Sequence, residues 1–373
     1  MHVIDAVNVN DAYVKGMRLL EKHGVLQPSR AGDVRVIPAP VTTRYQNPCE
    51  RVLFDEARDA NPFFHLMEAL WMLAGRNDAT WLDQFVGDFS KRFSEDGIQH
   101  GAYGFRWRTH FTLSEAVEPG SVWMGQPPDA EDFEPIDQLQ VVIDKLKADP
   151  FDRRVVIQMW DPTVDLCADK RDIPCNLCVM PRVISDTGGN WLDITVACRS
   201  NDIIWGAYGA NVVHFSVLQE YLAAKIGVKV GRYWQLSNNF HAYNDVFYKK
   251  LRGLPNTFKG DFDEGDRYAR GMVKATPIVT DVEKFDRDLA LFFDPEYKAG
   301  YFNEFFATTA VPMRLSYEAW RRKDHLTAMG TLEEASPIAG RPKLDWLLAA
   351  RLWYARRLAK IIPDKVEESA VNG

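Results

Sequence analysis

Residues 175–198 read Cys175-Asn-Leu-Cys178-Val-Met-Pro-Arg-Val-Ile184, then Ser185-Asp186-Thr187-Gly188-Gly189-Asn190, then Trp191-Leu-Asp-Ile-Thr-Val-Ala-Cys198. Both flanking runs are rich in β-branched and apolar residues, and the stretch between them carries turn chemistry. The spacing predicts an antiparallel hairpin at the centre of the chain. Working outward, 155–160 and 229–236 read as further strands, the first opened by Arg153-Arg154, and 34–37 as a short one. Between them lie helical patterns at 10–24, 61–75, 136–147 and 211–226, with Gly24 near the end of the first and Asn211 as a cap for the last. A sheet-rich centre with long apolar helices argues for an α+β fold.

Beyond about residue 255 the texture changes. Asp261 to Arg270 is charged, and 283–365 alternates helical patches with turns. Pro342 to Ile361 reads as a helix with proline at its first position, and 362–373 as a loose tail. The expected division is a core over 1–254 and a mainly helical extension, packed on it, over 255–373. Phe302, Phe305 and Phe306 within the extension are read as core.

At 373 residues with 21 Phe and 11 Trp, the chain can bury a substantial core. Its net charge of -7 lacks the basic footprint of a duplex nucleic-acid binder. No run approaches the length of an apolar membrane span, and no basic-then-apolar leader opens the sequence. Five cysteines, at 49, 167, 175, 178 and 198, have no framework spacing, so free thiols in a reducing compartment are expected. The expectation is a soluble cytoplasmic protein of a cell, or of one infected by a virus, without nucleic-acid or membrane partners.

The chemistry concentrates near the hairpin. Pro174 before Cys175 and Asn176 after it place a thiol at a strand end, where it can meet a ligand. Nearby arginines would raise its thiolate fraction. Cys175 and Cys178 could instead be a redox or metal pair, although no second pair or local histidine completes a metal site. Arg199-Ser200 with Asp202, together with Arg153, Arg154 and Arg30, suits an anionic group such as a phosphate monoester, which favours fork-like donors plus a hydroxyl. Glu68 interrupts a strongly apolar helix. It is either a helix end reaching solvent or a buried acid that handles protons. His241 and Tyr243, two apart, would share one strand face and could bond a sugar hydroxyl or be a satisfied structural pair.

In order along the chain, Arg30-Ala31-Gly32, Glu68-Ala69-Leu70-Trp71, Tyr103-Gly104-Phe105-Arg106-Trp107-Arg108, Asp152-Arg153-Arg154, Pro174-Cys175, Arg199-Ser200-Asn201-Asp202, Asn211 and Phe240-His241-Ala242-Tyr243 resemble the thymidylate synthase superfamily, including its viral deoxynucleotide hydroxymethylases. The likeness runs from about Val3 to Asn244. It implies that Cys175 adds to C6 of a pyrimidine nucleotide and that C5 then attacks the methylene of 5,10-methylenetetrahydrofolate, with no metal. It also implies an obligate homodimer with a sheet face at the interface. Arg30, Arg199 and Ser200 resemble phosphate ligands, and Arg153 and Arg154 the pair donated across the two-fold axis. Glu68 resembles the acid that organises water and protons, and Tyr103 a residue beside the cysteine. Asp202 resembles the pterin ligand, with Trp71 and Phe89 on the cofactor side, and His241 and Tyr243 the sugar ligands.

The chain departs from the synthase pattern in informative ways. Asn176 replaces a histidine and Cys198 a glutamine, Asn239 stands for an aspartate, and Phe89 stands where a shielding tryptophan is usual. The run Trp205-Gly-Ala-Tyr-Gly-Ala210-Asn211 carries one extra residue, so either Ala210 or Asn211 occupies the base-recognition position. The short closing tail is not recognisable. Loss of the shielding indole and of the tail implies water access, hence C5 hydroxymethylation of a pyrimidine deoxynucleoside monophosphate. An asparagine amide suits uracil, so dUMP is favoured over dCMP. The alternatives are thymidylate synthesis and a degenerate relative that binds nucleotide without catalysis or serves assembly.

Overall fold

The computed structural model describes residues 1–114, 133–167, 170, 172–254, 266–335 and 343–371, with side chains as far as 360. Arg171, Pro342 and part of the charged 261–270 stretch lie outside the described residues.

The hairpin forms as its sequence predicts. Strand Asn176–Asp186 pairs antiparallel with Gly189–Cys198 through a turn in which the Asp186 carboxylate accepts from Gly188 N, and Gly189 takes a positive φ of 122°. The full sheet has six strands, in the order His2–Ala6, Val41–Tyr45, Lys229–Ser237, Gly189–Cys198, Asn176–Asp186, Ile157–Gln158. It mixes parallel and antiparallel pairs. The strand expected over 155–160 keeps only two residues, Ile157–Gln158. A second sheet joins Asn201–Asp202, Phe240–Tyr243, Val34–Val36 and Val25–Gln27. The result is an α+β fold.

Side chains alternate cleanly across the large sheet. Val179, Val183, Ile194, Val196, Tyr233 and Tyr45 are buried on one face. Helix Val212–Ile226 covers that face, and helix Pro62–Leu73 packs on it in turn. Met180, Thr195, Trp234, Leu236 and Val3 lie on the other face, which no described element covers completely.

Helix starts follow local chemistry. Asn8 and Asn61 accept from backbone N–H groups at the ends of Val9–His23 and Pro62–Leu73. Asn211 does not cap. Its backbone is already helical, and the cap lies nine residues earlier, where the Asp202 carboxylate accepts from Ile204 N and Trp205 N. From Ile203 to Asn211 the chain runs as a π-helix before continuing as Val212–Ile226. A π turn holds more residues than an α turn, so the extra residue seen in this run is absorbed without unthreading the helix after it.

The C-terminal region shares the hydrophobic core of the rest. Phe63 packs against Tyr317, Trp353 and Tyr354, and the Tyr317 hydroxyl donates to Phe85 O at 2.9 Å. Phe305 and Phe306 are buried, whereas Phe302 is exposed and not a core residue. The last helix runs over Asp345–Val371, so helical backbone replaces the loose tail expected from residue 362.

Candidate active site

A cleft of about 660 Å³ opens between the first turns of helix Val212–Ile226, helix Pro62–Leu73 and the strand end at Cys175. Cys175, Glu68, Tyr103, Phe89, Ser200, Asp202, Ala210 and Asn211 all line it. Residues from five separate segments of the sequence thus meet in one cavity. A concave, largely apolar site with a few convergent polar groups is the usual form of a small-molecule site.

Cys175 enters from a loop fixed by Arg199. Arg199 Nε and Nη2 donate to Pro174 O and Ile173 O, both at 2.9 Å, and Arg199 N donates to Cys175 O at 2.9 Å. The guanidinium also lies over Trp160. Burial pushes the Cys175 thiol up, Arg199 pulls it back, and the Asp172 carboxylate adds to the rise. The arginine therefore does not leave a freely ionised thiolate, contrary to the sequence expectation, because desolvation outweighs its field in the site as it stands. Cys178 does not line the cleft. A bulge between Asn176 and Cys178 separates the two, and all five cysteines are free thiols.

Glu68 is buried within its helix and not at a solvent-facing end. Its Oε2 lies 2.9 Å from Nε2 of His214, which is buried too. Burial also raises the Tyr103 hydroxyl well above its ordinary value, with Cys175 adding to the rise. Asp202, whose Oδ1 caps the π-helix, is raised by burial, and its Oδ2 is buried with no partner among the described residues.

Asn211 belongs to a ladder of amides. Asn176 Nδ2 donates to Asn211 Oδ1 at 3.2 Å, Asn211 Nδ2 to Asn201 Oδ1 at 3.1 Å, and Asn201 Nδ2 to Ser237 Oγ at 2.8 Å. The consistent direction of donation fixes the orientation of each amide. Gly206 lets the chain pass this ladder closely, since a Cβ there would meet Asn201 Oδ1 at 3.0 Å.

Several expected residues stand apart from the cleft wall. Arg30 is exposed in a turn, and Arg153 and Arg154 are exposed, with Arg154 held by Asp152. His241 and Tyr243 lie on the strand beside Asp202, their rings 6.0 Å apart, without lining the cleft. Trp71 is fully buried, and its indole N–H donates to Asp78, so it faces the core and not the cavity. It is not among the residues that line the cleft.

Other cleft residues were not singled out from the sequence. Arg58 is buried, donates from Nε to Ile204 O at 2.6 Å, and lies 4.5 Å from the centroid of Trp205. An indole thus reaches the cleft from a different segment than the one where it was sought. His65 and His214 also line it. Helical spacing was their available signal, because His65 is three residues from Glu68 and His214 three from Asn211.

A partly buried thiol, a buried carboxylate–imidazole pair and the Asn201 and Asn211 amides meet in one cleft, a set of groups suited to nucleophilic chemistry on a small polar substrate. A family model described as thymidylate synthase matches residues 12–255, and the chain belongs to that family. It is 42% identical over 364 residues to a deoxyuridylate hydroxymethyltransferase of Pseudomonas phage M6, covering 96% of this chain and 95% of that protein. It is 30% identical to the deoxyuridylate hydroxymethyltransferase of Bacillus phage SP01, covering 84% of this chain and 76% of that one. A putative thymidylate synthase of Methanosarcina mazei is 26% identical, over 65% of this chain and 89% of its own length.

Proposed function

We propose that this protein is a folate-dependent one-carbon transferase that hydroxymethylates C5 of dUMP. The observation that carries the product assignment is the reach of the likeness. The family model stops at residue 255, whereas the similarity to the phage M6 hydroxymethyltransferase spans 96% of the chain and so includes the C-terminal region. The putative synthase matches only 65%.

Methylenetetrahydrofolate would supply the one-carbon unit at the oxidation level of formaldehyde. The cleft fits it alongside a nucleotide in two respects. It has room on the scale of 660 Å³, and its wall carries the unpartnered carboxylate oxygen of Asp202, an acceptor suited to the N–H groups of a pterin. Phe89 and Trp205 provide apolar surface for that ring.

Cys175 adds to C6 of the pyrimidine and makes C5 nucleophilic. Asn211 reads the base. With its Oδ1 and Nδ2 each already engaged by a neighbouring asparagine, one lone pair and one N–H remain for uracil N3–H and O4. Glu68 and Tyr103 hold water and protons near the base. Ser200 and Arg199 meet the phosphate, with Arg30, and His241 and Tyr243 meet the sugar. The incompletely covered sheet face supports a homodimer. In it, the exposed Arg153 and Arg154 of one protomer complete the phosphate site of its partner.

The test is incubation with dUMP or dCMP and methylenetetrahydrofolate, followed by nucleotide mass and folate analysis. The expected products are 5-hydroxymethyl-dUMP and tetrahydrofolate. Thymidylate with dihydrofolate, or turnover of dCMP in preference to dUMP, overturns the assignment.

A further inference from the structure

His214 is an unusual residue to find one helical turn from Asn211. It is 3% exposed, lines the cleft with Cys175, and meets Glu68 through Nε2 at 2.9 Å. With Glu68 ionised, Nε2 must donate, and the neutral ring then carries its lone pair on Nδ1. Nδ1 is buried and has no partner among the described residues. A buried acceptor left unmet by protein costs about 1–3 kcal/mol, so its retention calls for a reason. A carboxylate that fixes an imidazole's tautomer while the opposite nitrogen stays basic is the arrangement that prepares histidine to take a proton.

The neighbours narrow the choice of base. Asn176, beside the thiol, cannot accept a proton at ordinary pH. His65 lines the same cleft, but burial first, and then Arg58 and His214, push its pKa well below the ordinary value. Tyr103 is raised, so it remains protonated. Asp172 bonds Gly101 N at 3.0 Å. Asp202 caps the π-helix through Oδ1, and its remaining oxygen is the one assigned to the pterin.

Resting on the hydroxymethylase reading, we propose that His214, oriented by Glu68, is the general base for the water that completes the reaction. The nucleotide then stands with Cys175 bonded at C6 and an exocyclic methylene at C5. Nδ1 takes a proton from water as the oxygen bonds to the methylene carbon, and the electron pair moves through C5 onto O4 as an enolate. Collapse of the enolate restores the C5=C6 bond and expels the Cys175 thiolate. Imidazolium and thiolate are left, and proton return between them resets the site.

The experiment separates this step from the earlier ones. With enzyme in excess over C5-tritiated dUMP and methylenetetrahydrofolate, tritium release reports events up to loss of the C5 hydrogen. Added 2-mercaptoethanol competes with water for the exocyclic methylene and yields a thioether nucleotide. His214→Gln keeps a donor toward Glu68 but cannot act as base, and His214→Asn is the smaller second variant. Both are expected to lose about 100-fold in hydroxymethyl formation. Tritium release should fall less than tenfold, and the thioether-to-hydroxymethyl ratio should rise at least tenfold. An unchanged product ratio in either folded variant, or loss of tritium release in parallel with hydroxymethyl formation, overturns the role. If the wild-type protein makes no hydroxymethyl nucleotide, the function assignment fails instead, and the two failures are distinct.

Discussion

Arg357 and Asp59 form a two-pronged ion pair, with Nη1 and Nη2 each 3.1 Å from one carboxylate oxygen, and Arg356 Nε adds a contact at 3.0 Å. Asp59 lies on the rim of the Cys175 cleft, while both arginines belong to the final helix. Trp353 stacks beneath the Arg357 guanidinium, with its ring centroid at 3.3 Å. The C-terminal region is therefore fastened to the wall of the site by charge as well as by the aromatic packing around Phe63.

That fastening should weaken in acid. Burial raises the Asp59 carboxyl, but Arg357 and Arg356 outweigh it and hold the pKa below its ordinary value. A depressed folded pKa means the stabilisation is complete above the ordinary carboxylate range of about 4 and disappears as pH falls through the lower folded value. Asp59→Asn is expected to cost about 1 kcal/mol at pH 7, the upper range for partly exposed pairs. Melting temperatures of the two proteins measured across pH should differ at neutrality and converge at low pH.

Cys175 should titrate in the opposite sense. Burial raises its pKa, Arg199 opposes the rise and Asp172 reinforces it. In the free protein, alkylation of Cys175 by iodoacetamide should climb with pH beyond the range where an unperturbed thiol has levelled off. Asp172→Asn is expected to move the midpoint down and Arg199→Gln to move it up. A midpoint displaced by about one pH unit changes the alkylation rate at neutral pH by up to about tenfold. A midpoint that ignores both substitutions would leave desolvation as the sole control.

Much of this site was legible in the sequence because it is built at the ends of regular elements. The hairpin brings Cys175 and Ser200-Asp202 together by period and turn chemistry, whereas the helical pattern around Glu68 left open whether it reaches solvent or lies in the interior, where it is found. Trp71, three residues further along the same helix, follows the helical face into the core, where Asp78 satisfies its N–H. What could not be read was the partner of each polar group. The Glu68–His214 contact joins residues 146 apart, and the Asn176–Asn211 contact joins residues 35 apart. The π-helix escaped as well, since an extra residue in a helical run has no hydrophobic-period signature.

The amide ladder makes Asn211→Asp a sharp substitution. A carboxylate accepts but does not donate, so it would face Asn201 Oδ1 with repulsion where Asn211 Nδ2 now donates at 3.1 Å. Relief requires the Asn201 amide to turn over and the Ser237 hydroxyl, which now accepts at 2.8 Å, to become the donor. A buried polar group left facing a like partner costs about 1–3 kcal/mol. The expected result is a fall of about 10- to 100-fold in kcat/KM for dUMP, with dCMP gaining relative to it, measured with both nucleotides under one folate concentration. Adding Asn201→Asp should deepen the loss, because two acceptors would then face each other with no amide left to turn.

Gly104 sets how closely Tyr103 approaches the helix that carries Glu68. A Cβ at this position would lie 1.8 Å from Met72 O and 2.4 Å from Met72 C, both backbone atoms near the end of Pro62–Leu73. No rotamer change can relieve a clash with backbone, so Gly104→Ala must shift the Tyr103 segment, the helix or both. Tyr103 lines the cleft and its ring lies 5.9 Å from that of Phe215 on the central helix, so the shift reaches the site. The expected cost is about 1–3 kcal/mol of stability, as for overpacking elsewhere. Turnover should suffer beyond what the loss of folded protein explains, because displacement of about 1 Å in a positioned group lowers rates by about 100-fold. Ala102, on the other side of Tyr103, is also fully buried, but it already carries its Cβ. Ala102→Gly therefore creates space where Gly104→Ala removes it. Comparing melting temperature and single-turnover rate in the two variants separates crowding of Tyr103 from simple loss of packing: crowding predicts the larger rate defect in Gly104→Ala at matched stability.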